Sequence, residues 1–194
     1  KNLTHPPKMQ LEKLSSETKH LTGPQILDLE TNGLLKNTTE IHCIAVHYVE
    51  EGITVSYNDT GATEPIVRAV QYLENAERII GHNIIGFDIP IIKKIYPWFE
   101  PKGEIIDTLL LSRLYHPNMM EIDKRRNWKH MPLQLYGRHS LESYGYRLGE
   151  YKGNFGKETD WSTWSQEMED YCVQDVAVTQ KLCNHFHRYL SGSN

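Results

Sequence analysis

Cysteine, long apolar runs and net positive charge are all scarce in this sequence, and each scarcity argues against a class of protein. The 3 cysteines are an odd number without paired spacing. They argue against a disulfide framework or a cysteine-based zinc motif and favour a reducing compartment such as the cytoplasm. No apolar run is long enough to span a membrane or to form the core of a signal peptide. The formal net charge of −4 argues against attachment to nucleic acid by bulk positive charge, although local basic patches and metal-mediated phosphate contacts stay open.

The remaining composition is typical of one globular domain. The chain has 194 residues, of which 39% are hydrophobic and 24% are charged, and this length supports a sizeable core. Residues 1–23 are polar and predict an arm, residues 24–190 predict the folded domain, and residues 191–194 predict a flexible tail. The chain begins with Lys1 rather than methionine, which predicts a fragment or a processed product.

The apolar pattern predicts strands first, and then strands that alternate with helices. Strands are predicted at 25–29, 41–48, 53–57, 78–80 and 104–107. Helices are predicted at 64–75, 88–96, 109–116, 140–149 and 163–190, the last opened by a capping box from Thr163 to Gln166. Residues 117–139 show no regular pattern, and a glycine- and lysine-rich loop is predicted at 151–160. This order predicts a mixed α/β sheet with helices packed on it.

Two carboxylates stand one residue apart at the end of the first predicted strand. Asp28 and Glu30 point to the same face of that strand, because strand side chains repeat every two residues. Carboxylates that close repel each other unless a proton or a cation lies between them. The pair therefore predicts a metal site, and the alternative is an edge strand with its polar residues in water.

Further acidic residues occur where open α/β sheets bind ligands or on a long helix. Asp88 begins a helix after a short buried strand, and Gly81 and Gly86 allow tight turns before it. The alternative is that Asp88 caps the helix. Tyr171 and Asp175 are four residues apart, so they lie on one helix face, and the alternative there is a buried tyrosine beside an exposed aspartate.

The order of these residues resembles the three motifs of the DEDD superfamily of exonucleases. They are Asp28-Leu29-Glu30, the stretch from Asn83 to Asp88, and Tyr171-x-x-x-Asp175. The last is similar to the tyrosine variant, because Asp170 stands where the other branch has histidine. The resemblance implies an α/β fold of the RNase H-like type, with a mixed five-stranded sheet flanked by helices.

Longer stretches are similar to the 3′–5′ proofreading domain of T7-like phage DNA polymerases of family A. They are residues 106–109, 112–114, 139–153 and 170–176, and the similarity extends from about residue 25 to residue 190. A polymerase unit does not fit in this length. The resemblance thus implies an excised proofreading domain or a free-standing exonuclease, which would work in the host cytoplasm if a phage encodes it.

The resemblance implies a metal-dependent enzyme that removes 5′-nucleoside monophosphates from the 3′ ends of DNA and prefers single-stranded or mispaired ends. Two Mg²⁺ or Mn²⁺ ions would be held by Asp28, Glu30, Asp88 and Asp175. Tyr171 would orient the attacking water with help from Glu30. A polymerase domain or subunit is the implied protein partner.

The resemblance also implies substrate contacts near the first two motifs. Leu34 is similar to the apolar wedge that separates the last two bases, and the alternative is an ordinary core leucine. Thr31 and Asn83 are placed to meet the terminal sugar and phosphate, and His82 and Phe87 line the pocket.

Basic and aromatic residues interleave in residues 124–139, which predicts either a loop that guides the strand or a solvated surface loop. Two rival functions stay open. One is an exoribonuclease similar to RNase D, and the other is an inactive RNase H-like module that only binds nucleic acid or protein.

Overall fold

The computed structural model describes residues 21–150 and 159–190. Most of the predicted arm, the predicted tail and most of the predicted 151–160 loop lie outside the described residues. Across the described ranges, no helix combines the length and the apolar character needed to cross a lipid bilayer.

Five strands form one mixed sheet, as predicted. They are β1 (Pro24–Thr31), β2 (Ile41–Tyr48), β3 (Ile53–Asn58), β4 (Arg78–Gly81) and β5 (Glu104–Asp107). The strand order is β3-β2-β1-β4-β5. The first three strands are antiparallel, while β4 runs parallel to both β1 and β5. The carboxyl ends of β1, β4 and β5 therefore meet at one edge of the sheet.

Helices cover both faces of this sheet. The α-helices of the described ranges are α1 (Ile66–Asn75), α2 (Ile89–Ile95), α3 (Thr108–Tyr115), α4 (Met119–Arg126), α5 (Leu141–Arg147) and α6 (Gln166–Leu190). A π-helical turn spans Ile84–Asp88, and a 3₁₀ turn spans Leu133–Leu135. The RNase H-like fold class is thereby confirmed.

Alternation along β1 assigns its residues to two different faces. Leu27 and Leu29 are buried in the cluster that includes Val70 of α1 and Ile91 of α2. Ile26 is buried in the other cluster, with residues of α6. Asp28 and Glu30 share the parity of Ile26, so they face α6. β1 is the central strand, and the alternative of a solvated edge strand is wrong.

The prediction that residues 117–139 lack regular structure is wrong, because they include α4. This helix buries only Met119 and Asp123. A helix whose buried positions are one methionine and one aspartate carries no apolar repeat, so the sequence pattern could not reveal it.

Asp123 is buried because it accepts four hydrogen bonds. Arg147 donates from Nε at 2.9 Å and from Nη2 at 2.7 Å, Trp128 Nε1 donates at 2.9 Å, and the Gly137 amide donates at 2.8 Å. Burial acts to raise the pKa of Asp123, but the hydrogen bonds from Arg147, Gly137 and Trp128 outweigh it and lower that pKa. One carboxylate thus ties α4, α5 and the segment between them together.

The ends of two helices test the predicted caps. Ser140 caps α5 as predicted, since its Oγ accepts a hydrogen bond from the Ser143 amide at 3.2 Å. The predicted capping box at the start of α6 is wrong. The helix begins at Gln166, and Ser165 Oγ accepts from the Met168 amide at 3.2 Å, so Ser165 takes the position predicted for Thr163.

Candidate active site

Asp28 and Glu30 stand side by side on the face of β1 that α6 covers. Their partners on β2 are Ala45 and Cys43, which have small side chains. Both carboxylates are half-buried. In the part of the chain that the structure describes, one group of three potential ligands has donor atoms within 4.8 Å of one another, and it consists of Asp28, Glu30 and Cys172.

Cys172 is the neighbour of this pair rather than a third anion. Its Sγ donates a hydrogen bond to the Asp28 carbonyl oxygen at 3.3 Å, which fixes α6 on β1. Burial, and then the neighbouring Cys43, raise the pKa of the Cys172 thiol well above its usual range. The protonated thiol is a poor ligand for Mg²⁺ or Mn²⁺, so the ligand chemistry at this point is that of the two carboxylates.

Asp88 reaches the same region from the end of β4. The chain leaves β4 through Asn83, which has the left-handed backbone values φ 62 and ψ 30, and then enters the π-helical turn that ends at Asp88. The Asp88 side chain is 4% exposed and makes no capping hydrogen bond to α2, so the alternative of a helix cap is wrong.

The environment of Asp88 disfavours a bare charge. Its Oδ2 atom is buried and has no hydrogen-bond partner among the described residues. Burial, followed by the charges of Asp28 and Glu30, raises the pKa of Asp88 well above its usual range. An added cation would offset both causes of this rise by its positive charge.

The glycines before Asp88 are required by space and not by backbone conformation. Neither Gly81 nor Gly86 has a positive φ. A Cβ atom at Gly81 would collide with Ile84 Cγ2, and one at Gly86 would lie 2.6 Å from Asn83 Oδ1. A larger residue at either position would therefore have to displace Ile84 or the Asn83 side chain.

Tyr171 and Asp175 occupy one face of α6, as predicted. Asp175 is 7% exposed, so the alternative of an exposed aspartate is wrong. Tyr171 is half-buried, and burial followed by the charges of Glu30, Glu142 and Asp28 raises its pKa to about 12. The phenol therefore keeps its proton at neutral pH and acts as a hydrogen-bonding group rather than a base.

A cavity of about 370 Å³ opens beside Glu30. Its lining residues are Glu30, Thr31, Gly33, Leu34, Phe87 and Trp161. Leu34 is 77% exposed, so the alternative of a core leucine is wrong. Most of the wall is apolar, as in many sites that bind small organic groups.

Sequence reasoning missed Trp161, which lies in the irregular segment before α6. Its carbonyl oxygen is the partner of His42 Nε2 at 2.8 Å, and this contact joins the segment to β2. No periodic pattern surrounds this tryptophan, so only its position in the fold reveals it as part of the cavity wall.

Two of the predicted substrate residues line a different cleft. His82 and Asn83 face an open cleft of about 530 Å³ that also includes Arg113, Arg138 and His139. The ring nitrogens of His82 lie 2.8 Å from Thr108 Oγ1 and 2.8 Å from the His139 carbonyl oxygen. The structure therefore divides the predicted pocket into an apolar cavity and a basic cleft on either side of the 83–88 turn.

Comparison with known proteins agrees with this architecture. The family model of the RNase H superfamily matches residues 25–187. The chain belongs to the RNase H superfamily.

Within this superfamily, the chain is similar to phage polymerases. The DNA-directed DNA polymerases of Enterobacteria phage T3 and Escherichia phage T7 are each 34% identical to it in an alignment of 182 residues, and the match covers 81% of this chain. The chain spans 25% of the length of these relatives. The resemblance to T7-like phage polymerases that the motifs predict is confirmed.

Solved structures share the fold at low sequence identity. Brucella melitensis NrnC with bound Mg²⁺ is 16% identical with a TM-score of 0.58, covering 89% of this chain and 77% of that chain. Escherichia coli RNase D, an exoribonuclease involved in structured RNA processing, is 14% identical with a TM-score of 0.52, covering 93% of this chain and 44% of that chain.

Proposed function

We propose that this RNase H superfamily domain is a divalent-metal-dependent 3′–5′ exonuclease that removes 5′-nucleoside monophosphates from DNA. The observation that carries the proposal is the approach of Asp88, from the 83–88 turn, to Asp28 and Glu30 of β1, next to Tyr171 of α6 and beside an apolar cavity. The substrate is the 3′ end of a DNA strand, and single-stranded or mispaired ends are preferred.

The acidic residues fit hard divalent cations. Asp28, Glu30, Asp88 and Asp175 supply only oxygen donors, which Mg²⁺ and Mn²⁺ prefer. The buried Oδ2 of Asp88 has no hydrogen-bond partner among the described residues, and its charge is disfavoured until a cation approaches. One ion would be held by Asp28, Glu30 and Asp175, and a second by Asp28 and Asp88.

The protein groups around the ions would orient the reactants. When bound, the two ions would supply Lewis acidity that favours deprotonation of water and stabilises the departing 3′ oxygen. Tyr171 keeps its phenolic proton and would position the attacking water by a hydrogen bond. Glu30, whose charge acts on Tyr171, would help to hold the same water.

The cavity beside Glu30 would receive the terminal base. Leu34 projects from the protein surface at its rim, where it can insert between the last two bases. Phe87 and Trp161 offer aromatic rings against which a base can stack, at about 1–3 kcal/mol per base. A strand must be unstacked to enter, so mispaired and single-stranded ends are the better substrates.

The basic cleft on the other side of the turn would hold the preceding phosphates. Arg113 and Arg138 are exposed, and neither forms an ion pair with any residue that the structure describes. Residues 124–139 are predicted to guide the DNA strand, and the arginine of that segment that lines this cleft is Arg138. Lys124 and Arg125 lie in the last turn of α4.

The relatives support DNA as the substrate and a polymerase as the protein partner. The phage T3 and T7 proteins are DNA-directed DNA polymerases, and this chain corresponds to 25% of their length. We therefore propose that the domain 24–190 acts in proofreading, either joined to a polymerase or as a separate exonuclease. The Mg²⁺ in the NrnC structure supports the choice of metal.

The decisive experiment is digestion of a 5′-labelled single-stranded DNA oligonucleotide with Mg²⁺ or Mn²⁺. We expect shortening by single nucleotides from the 3′ end, release of 5′-nucleoside monophosphates, and loss of both in Asp28→Ala. A duplex with a mispaired 3′ end should be shortened faster than the matched duplex.

Three results would contradict this proposal. Equal activity in the wild type and Asp28→Ala would point to a contaminating nuclease. No hydrolysis in either, without metal binding in a calorimeter, would favour an inactive binding module. Faster digestion of an RNA oligonucleotide of the same sequence would favour an exoribonuclease like RNase D.

A further inference from the structure

Asp107, the last residue of β5, accepts three hydrogen bonds, of which one caps a helix and two come from the 83–88 turn. Its side chain is 5% exposed. Oδ1 accepts a hydrogen bond from the Leu109 amide at 2.9 Å, which caps α3. Oδ1 also accepts from the Asn83 amide at 2.9 Å, and Oδ2 accepts from the Ile85 amide at 3.1 Å.

The last two hydrogen bonds hold a segment that has an unusual backbone. Asn83 is in the left-handed region, and residues 84–88 form a single π-helical turn. A left-handed non-glycine residue and an isolated π-helical turn are uncommon, and they persist where the surroundings impose them. Asp107 supplies that constraint at the start of the turn, three and five residues before Asp88.

We propose that Asp107 is a positioning residue that holds the 83–88 turn so that the Asp88 carboxylate faces Asp28 and Glu30. This inference rests on the proposed metal site, to which it adds a residue that touches neither metal nor substrate. Both Asp107 oxygens accept hydrogen bonds from backbone amides, which gives this carboxylate a holding role beside Asp88.

Helix capping alone does not account for Asp107. A cap needs the hydrogen bond from Leu109, which serine at this position would also accept. The hydrogen bonds from Asn83 and Ile85 need the reach and the two acceptor oxygens of a carboxylate. Asp107→Ser therefore keeps the hydrogen bond that caps α3 and loses the hydrogen bonds from Asn83 and Ile85. Asp107→Asn places an NH₂ group opposite one of the backbone N–H donors.

Binding of Mn²⁺ to the full chain by calorimetry, without substrate, tests this role. The loss of Mn²⁺ affinity in Asp88→Asn measures how much of the binding depends on Asp88. For that part, we expect Asp107→Ser and Asp107→Asn to bind about 10- to 100-fold more weakly than the wild type, the range found for groups that orient metal ligands.

Asp59→Asn is the matched control. Asp59 Oδ1 accepts from the Ile66 amide at 3.0 Å at the start of α1, so it is another aspartate at a helix start, away from the turn. We expect wild-type Mn²⁺ binding in this variant. Thermal unfolding of every variant identifies the folded ones, and a folded Asp107→Ser or Asp107→Asn is sufficient for the test.

The outcomes separate this inference from the proposed function. Wild-type Mn²⁺ binding in a folded Asp107 variant, together with weakened binding in Asp88→Asn, overturns the role of Asp107 alone. Wild-type binding in Asp88→Asn overturns the metal role of Asp88, and the positioning role with it. Weakened binding in both, with Asp59→Asn unchanged, supports the positioning role.

Discussion

Asp88 and Asp123 are both buried aspartates, but their surroundings differ in every respect that matters for a charge. Asp88 is 4% exposed and its Oδ2 has no hydrogen-bond partner among the described residues, whereas Asp123 is fully buried and accepts four hydrogen bonds. Burial and neighbouring carboxylates raise the pKa of Asp88, while Arg147 and two further donors lower that of Asp123.

The difference distinguishes a carboxylate that a cation would stabilise from one that holds the fold together. A buried charge is tolerated when its hydrogen bonds are complete, and it is costly when they are not. Asp107 shows that a carboxylate near the site can belong to the second kind, because its three donors are backbone amides. Burial alone would therefore not have singled out the candidate active site.

The largest expected effect on stability comes from Asp123→Ala. The change leaves the buried Arg147 guanidinium without its partner, and removing one member of such a pair costs about 3–5 kcal/mol. Urea unfolding at pH 7 measures the free energy of unfolding. A loss below about 1 kcal/mol would mean that Asp123 does not hold α4 and α5 together.

Asp88→Asn should show the opposite pattern. We expect the exonuclease rate with Mg²⁺ to fall by more than about 100-fold, because even groups that only orient metal ligands contribute 10- to 100-fold. In EDTA the same variant should be at least as stable as the wild type, since it removes a charge that is disfavoured in the fold. A stability loss similar to that of Asp123→Ala would instead assign Asp88 a structural role.

The two residues should also respond to pH with opposite signs. Without divalent cations, Asp88 of the folded protein stays protonated at pH values above the usual aspartate pKa of about 4. The unfolded protein releases this proton at about pH 4. This contribution to stability is present at low pH and is lost as pH rises from about 4 through the folded pKa. Asp123 has a lowered pKa, so its contribution is present above pH 4 and is lost as pH falls below it.

Urea unfolding in EDTA between pH 4 and pH 8 measures the Asp88 contribution. The stability of Asp88→Asn relative to the wild type should increase as pH rises, and added Mg²⁺ should reduce that difference by stabilising the wild type. A difference that stays constant with pH would show that Asp88 does not have a raised pKa.

The smallest expected effect concerns the arginine side chains, which show the same contrast between a buried charge with a partner and charges without one. Arg147 is buried and neutralised by Asp123, whereas Arg113 and Arg138 line the basic cleft without an ion pair among the described residues. The logarithm of the binding constant for single-stranded DNA falls linearly with the logarithm of the salt concentration. Replacing Arg113 and Arg138 by alanine should make this slope less steep by about 0.7 for each phosphate that the arginines neutralise in the wild type.

Lys124→Ala with Arg125→Ala is the matched control for that measurement, because these residues lie in the last turn of α4 and not among the residues that line the cleft. Binding is measured in Asp28→Ala with Ca²⁺, so that the DNA stays intact. A larger change in the control than in the arginine variant would place the strand along α4 instead.

The sequence by itself determined where the five strands lie along the chain and which candidate site residues share a face. Asp28 and Glu30 share a face because strand side chains alternate, and Tyr171 and Asp175 share one because they are a helical turn apart. These rules are local, so a single sequence reveals them. The motif order then predicted the fold class and the relation to phage polymerases, and both are confirmed.

The tertiary structure decided everything that depends on contacts between distant residues. Asp107 meets Asn83 across 24 positions, and the His42 ring meets the Trp161 carbonyl across 119. It also buried Asp123 in a helix without an apolar repeat, and it divided one predicted pocket into a cavity and a cleft. Local patterns cannot specify such contacts, because a carboxylate has the same sequence signature whether its partner is an amide, an arginine or a metal ion.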